Sequence, residues 1–284
     1  MKYNVVKDIQ FIREMLSLSE NAFSKEVGIP RSTLSNWAKE RTNISPSQLE
    51  KVYNFAYQKG LRINSTKQQI FKDNEKPDYK ILFHGAKSEL IEPITISHSK
   101  PDNDFGKGFY LGENLFQSES FVSNYPKSSV YIFGYRINSK HSVKEYGVNE
   151  EWMLAVAYNR GLIKKYSNSK RIKAITDDIA NTDIIIAPIA DNNMYQLIDE
   201  FVQGYITDKQ CVACLSATDL GKQYVFLNDD AANDLELIER CYICTSEKKD
   251  YLVERNHSND IGLQKVKYAK REYAGKGKYI DQLL

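Results

Sequence analysis

Three short segments of this 284-residue chain carry side chains suited to binding a ligand, two of them beside glycines. Phe83-His84-Gly85 sets an imidazole beside a residue whose bare backbone a ligand approaches closely. Asp104-Phe105-Gly106-Lys107-Gly108-Phe109-Tyr110-Leu111 is a glycine-bracketed loop running into an aromatic segment. Phe105 and Tyr110 there offer ring faces for a planar group. Gln223-Tyr224-Val225-Phe226 opens on an amide. Singly, each has a structural explanation: a satisfied core histidine, a sheet aromatic, an edge-strand amide. Together, in this order and with the glycine loop between them, they read as one ligand site.

The four cysteines fall in two pairs, Cys211/Cys214 and Cys241/Cys244, with the spacing of zinc ligands. Val212-Ala213 and Tyr242-Ile243 inside them are not knuckle turns, and Cys211 and Cys214 share one face of a helical pattern. Buried thiols are therefore expected, with no metal. A dinucleotide-binding glycine fingerprint, a phosphate-binding loop and the H-E-x-x-H zinc motif are all missing from the sequence.

The elements that must position these segments follow from periodicity. Ile81-Leu82-Phe83, Gly108 to Leu111, Val130 to Ile137, Asp183 to Ile189 and Gln223 to Leu227 read as strands. Helices are expected over Asn149 to Lys165, over Met194 to Val202, and after a capping-box pattern at Thr207 to Gln210. Strands and helices mix without a regular βαβ repeat, so this part reads as α+β.

Residues 1–62 differ. Four short helical patterns follow one another: Val6 to Leu16, a second capped by Ser19 and ended by Gly28, a third from Pro30-Arg31 carrying Leu34, Trp37 and Ala38, and a fourth opened by Ser45-Pro46-Ser47-Gln48. The stretch from Leu18 to Trp37, with its tight turn at Gly28, resembles Cro/repressor-type (Xre) helix-turn-helix domains. The resemblance implies that the third helix enters the DNA major groove, with Arg31, Ser32, Thr33, Ser35 and Asn36 reaching bases or phosphates and Leu34 and Trp37 in the core. A helical protein-docking module has the same pattern. A single reading module binds weakly, so a homodimer is expected.

The three chemical segments resemble, from roughly Tyr79 to Arg240, the ADP-ribosyltransferase fold of the poly(ADP-ribose) polymerase and diphtheria-toxin branch, which is read by a His-Tyr-Glu triad. The closer likeness is to a bacterial domain family of unknown function carrying a D-F-G-x-G-F-Y motif. It extends to Tyr158-Asn159-Arg160-Gly161, Pro188-Ile189-Ala190-Asp191 and Leu220 to Val225. The resemblance implies a split-sheet domain that uses NAD as substrate. His84 then holds the ribose hydroxyls, Gly85 holds the nicotinamide amide through its backbone, and Tyr110 stacks on nicotinamide. Phe105 and Gly108 line the same pocket, and Phe109 faces the core. Gln223 occupies the place of the glutamate. An amide still hydrogen-bonds a ribose but provides neither a base nor a negative charge for the oxocarbenium-like transition state. Three outcomes stay open: transfer of one ADP-ribose to an acceptor with its own base, recruitment of Asp104 or Asp191 as the acid, or binding without chemistry.

The formal charge of +2 divides into +4 over residues 1–62, about −5 over 63–244 and +3 over 245–284. The basic first segment suits DNA. Residues 63–78 read as a linker, residues 79–244 as the transferase-like domain, and 245–284 as a basic extension with a mobile Gly275 to Lys278. With no apolar leader and no stretch long enough to span a bilayer, a cytoplasmic location without membrane contact is expected. The whole reads as an all-α helix-turn-helix domain followed by an α+β ADP-ribosyltransferase-like split-sheet domain. Such a mono-ADP-ribosyltransferase would modify a macromolecular acceptor, for example in a toxin–antitoxin locus with an antitoxin partner. The rival is a regulator that senses NAD or ADP-ribose without turnover.

Overall fold

Side-chain caps set the first helices. Ser19 Oγ accepts the Ala22 N–H at 3.1 Å, and Ser45 and Gln48 exchange reciprocal hydrogen bonds at 3.3 and 2.9 Å, the capping box that the sequence predicts. Gly28 ends the second helix at φ +65°, a conformation costly for any residue with a Cβ. The computed structural model describes residues 2–137, 140–190 and 192–284. In chain order the helices are α1 (Val5–Met15), α2 (Glu20–Val27), α3 (Arg31–Ala38), α4 (Pro46–Gln58), α5 (Ile63–Asp73), α6 (Leu115–Val122), α7 (Glu150–Asn159), α8 (Lys170–Ala180), α9 (Asn192–Val202), α10 (Asp208–Leu215), α11 (Asp229–Ala232), α12 (Thr245–Glu272) and α13 (Ile280–Leu283). The strands are β1 (Tyr79–Ala86), β2 (Phe109–Gly112), β3 (Ser129–Arg136), β4 (Val143–Glu145), β5 (Ile184–Pro188), β6 (Lys222–Phe226) and β7 (Leu235–Tyr242). A helical helix-turn-helix region is thus followed by a mixed α/β region. None of the described helices is long and apolar enough to cross a membrane.

Two compact units emerge, and they do not divide at residue 62 or 78. The first comprises the chain up to Leu90, Asn114–Gly134 and Leu237–Arg255. Its strands run in the order β1-β3-β7. Phe23, Leu34, Trp37, Val52 and Phe55 form the helix-turn-helix core, which also takes in Cys244. The expected linker is a helix. Hydropathy hides α5 because its inward contacts are polar: Asn64 donates to Glu119 Oε1 at 3.1 Å and to the Tyr242 carbonyl at 2.9 Å. Lys67 pairs with Asp8 at 2.8 Å and Glu239 at 2.6 Å, joining α1, α5 and β7 through buried charge.

The second unit comprises Ile91–Glu113, Tyr135–Glu236 and Asn256–Leu284. Its strands run β4-β5-β6-β2, with β4 and β5 parallel and the other pairs antiparallel. One face is covered by α7, α9 and α10, whose Trp152, Met153, Leu197, Phe201 and Leu215 are buried with Val225. The C-terminal segment belongs to this core through Val266, Ala269 and Ile280. Gly275 to Lys278, expected to be mobile, is pinned to the start of α10. Thr207 donates to the Lys276 carbonyl, and the Lys278 N–H meets Asp208 Oδ1 at 2.6 Å.

Candidate functional site

Pairing of β2 with β6 sets the site's geometry. Tyr110 lies opposite Val225 and Gly112 opposite Gln223, so Tyr110, Val225 and Gln223 share one sheet face. Phe109 lies opposite Phe226 on the other face and is buried, as expected. A Cβ on Gly108 would stand 2.8 Å from Val225 Cγ1 and 3.0 Å from the Phe226 carbonyl. Close approach of β6 therefore explains this glycine.

Asp104, only 4% exposed, is the hub. Its Oδ1 accepts from Arg160 Nη2 at 2.8 Å, from Arg160 Nε at 3.1 Å, and from the Tyr195 hydroxyl. Its Oδ2 accepts from Gln223 Nε2 at 2.9 Å, and the same nitrogen donates to the Pro188 carbonyl at 3.0 Å. Both amide N–H groups of Gln223 are thereby used, and Oε1 is the acceptor left on the side chain. Arg160 caps the end of α7 and lies 4.1 Å over the Tyr195 ring. Burial opposes the Arg160 charge, but Asp104 and Tyr195 outweigh it and raise the group above its ordinary value. Burial first, and then the Asp104 charge, hold the Tyr110 and Tyr195 phenols well above the usual tyrosine range. Both therefore stay protonated at neutral pH. The Tyr110 hydroxyl donates to the Gly106 carbonyl at 2.8 Å and accepts the Phe105 N–H at 3.1 Å. It ties down the loop that carries Asp104.

The other expected site residues fall as follows. His84 and Gly85 lie half-buried on β1 of the first unit. A Cβ on Gly85 would come within 2.4 Å of the Ser118 carbonyl, so packing of α6 demands glycine there whatever else its backbone does. Phe105 corrects the expectation of a stacking surface. It is 3% exposed and stacks on Tyr146 at 5.5 Å between centroids, which makes it a core residue. Asp191 lies outside the described residues. On α3, Arg31 and Ser32 are exposed and Thr33, Ser35 and Asn36 half-buried, while Leu34 and Trp37 are core, as expected; Ala38 is exposed. All four cysteines are buried free thiols, and burial pushes Cys214 up to about 11 and Cys244 to about 12. Among the described residues, no three His, Cys, Asp or Glu side chains are grouped to hold a metal. Arg160 and Tyr195 carry no role in the sequence reading. The Tyr158-Asn159-Arg160-Gly161 segment is the only signal, and it marks a helix end rather than a partner for Asp104.

Residues 80–237, more than half of the chain, match the model of a family described as a protein of unknown function (DUF3990). Residues 9–53 match a helix-turn-helix model. No curated protein and no solved structure matches the chain.

Proposed function

The chain belongs to the DUF3990 family and joins that domain to a DNA-binding helix-turn-helix; from the resemblance carried by His84, Tyr110 and Gln223, we propose that it is a mono-ADP-ribosyltransferase that takes NAD as its donor substrate. The observation that carries this reading is the clamped Gln223. Its amide N–H groups are committed to Asp104 and Pro188, and its Oε1 remains as an acceptor on the sheet face that bears Tyr110. Such an oxygen suits a ribose hydroxyl. A fixed acceptor costs no reorganisation when the ligand arrives. Tyr110 takes the stacking role that the triad resemblance implies, and His84 is the histidine that the resemblance names.

The bond from the ribose C1′ to the nicotinamide nitrogen breaks, nicotinamide leaves, and the acceptor's nucleophile bonds to C1′. Gln223 takes up no proton, and Asp104 is saturated by four donors and neutralised by Arg160. The acceptor therefore brings its own base, and one ADP-ribose is added rather than a chain. DNA contact by Arg31, Ser32, Thr33, Ser35 and Asn36, a homodimer, and an antitoxin or other macromolecular partner belong to the same proposal.

The test incubates the full chain with labelled NAD and cell extract. Label transfer and nicotinamide release are expected, both lost in His84→Ala. Their absence from the unmodified protein overturns catalysis. The neutral Asp104–Arg160 pair favours one alternative, a regulator that binds NAD or ADP-ribose without turnover. Calorimetric binding without nicotinamide release, together with a ligand-dependent DNA affinity, identifies it.

A further inference from the structure

We infer that position 223 is built for an amide, and that Asp104 is its positioning residue. The Asp104 carboxylate and the Pro188 carbonyl together fix which way Gln223 points. Glutamate at this position then disables the site instead of completing it. The inference rests on the NAD reading only for what Oε1 meets; the pairing behind it is a property of the fold.

Gln223 Nε2 faces two oxygens, Asp104 Oδ2 at 2.9 Å and the Pro188 carbonyl at 3.0 Å. Neither carries a proton to give: an ionised aspartate and a carbonyl are acceptors only. Arg160 and Tyr195 both engage the other oxygen of Asp104, Oδ1. Turning the amide over would set Oε1 against two oxygens, so the hydrogen-bond network admits one orientation. A carboxylate at 223 has no such choice. Either of its oxygens in the Nε2 position meets Asp104 Oδ2 without a proton between them, in a place where Gln223 is only 7% exposed. Arg160 and Tyr195 hold the far oxygen of Asp104 and do not relieve that meeting. The departure from glutamate is thus matched by a buried partner that requires it.

The experiment compares the full chain with Gln223→Glu, Asp104→Asn and the double variant, by thermal unfolding from pH 5 to pH 9 and by calorimetric titration with NAD. Gln223→Glu is expected to lower Tm by about 3 °C or more at pH 8. The loss shrinks toward pH 5, because the raised folded-state pKa of the new carboxyl lets it take a proton and donate to Asp104. The double variant regains much of the loss, since the amide introduced by Asp104→Asn offers an N–H to the carboxylate introduced by Gln223→Glu. If Gln223→Glu fails to fold, a folded double variant counts as the same recovery. A Gln223→Glu protein as stable as the unmodified chain at pH 8 overturns the inference, and so does a double variant no better than the single one. With the amide released, Asp104→Asn should weaken NAD binding at least tenfold; unchanged affinity overturns the positioning role. If NAD does not bind the unmodified chain while the pH-dependent loss and its recovery appear, the NAD reading falls and the amide requirement stands.

Discussion

At the residue scale, the surroundings of Asp104 decide what it does. A carboxylate with four donors and one cation is a structural anchor, whereas the sequence offers it only as a candidate acid beside a glycine loop. Nothing in the spacing of Asp104, Arg160, Tyr195 and Gln223 joins them, because four separate elements deliver them. What the sequence carries is local: a glycine at 108, an aromatic alternation that sends Phe109 to the core, and a glutamine at a strand start. It misplaces Phe105, whose ring meets Tyr146 across the core, since an aromatic beside a glycine looks the same whether it stacks on a ligand or on a neighbour. The hub predicts the cost of removing its cation. Arg160→Met leaves a buried carboxylate without its counter-charge, and unfolding by denaturant should show a loss of about 3 kcal/mol. Arg160→Lys retains part of that stability but not the two-nitrogen grip on Oδ1. A loss below about 0.5 kcal/mol for the methionine variant would show that Asp104 does not depend on Arg160.

At the element scale, the helices of residues 1–62, α7, α9, α10 and the apolar strands follow from pattern, while α5, α6, α8, α11, α12, α13, β4 and β7 do not. The buried side chains of α5 are Ile63 and Asn64, with Lys67 reaching Asp8 and Glu239, so the helix has no continuous apolar stripe to read. Polar partners that justify such a helix are distant in sequence. Lys67→Met should therefore destabilise the protein by about 3–5 kcal/mol, by leaving Asp8 and Glu239 buried without a cation. Replacing all three with apolar residues should restore much of the loss, and equilibrium unfolding measures both.

The neighbouring acid pair gives a pH signature. Glu119 and Glu247 are buried together, faced by Asn64 of α5 and Tyr251 of α12, with Arg62 and Asp250 acting on Glu247. Burial, and for Glu119 then the Glu247 charge, pushes Glu119 well above its ordinary value; burial pushes Glu247 up to about 7. A carboxyl raised in the folded state stabilises fully below its unfolded pKa, and that contribution fades as pH rises through about 7. Between pH 5 and 7 the unmodified chain should lose up to about 1.4 kcal/mol per pH unit from this group. Glu247→Gln should flatten that slope. Identical slopes in the two proteins would contradict the assignment.

At the scale of the whole molecule, the near-neutral formal charge conceals a basic reading module and an acidic following domain. The module is not a detachable head, since its core takes in Cys244 and its α1 shares Lys67 with β7. DNA binding should nonetheless follow phosphate rules. Affinity should fall with rising salt, and Arg31→Ala should reduce the slope of log K against log salt by about one if that side chain meets a phosphate. A salt-independent affinity would mark the module as a protein-docking surface instead. The central claim concerns the other end of the chain, and a crystal of the full protein soaked with NAD addresses it most directly. Gln223 Oε1 is expected within hydrogen-bond distance of a hydroxyl on the nicotinamide ribose, with the Tyr110 ring against the nicotinamide and Gln223 Nε2 still on Asp104. NAD bound away from Gln223, or no NAD bound at a concentration that fills the site of an active transferase, would contradict it.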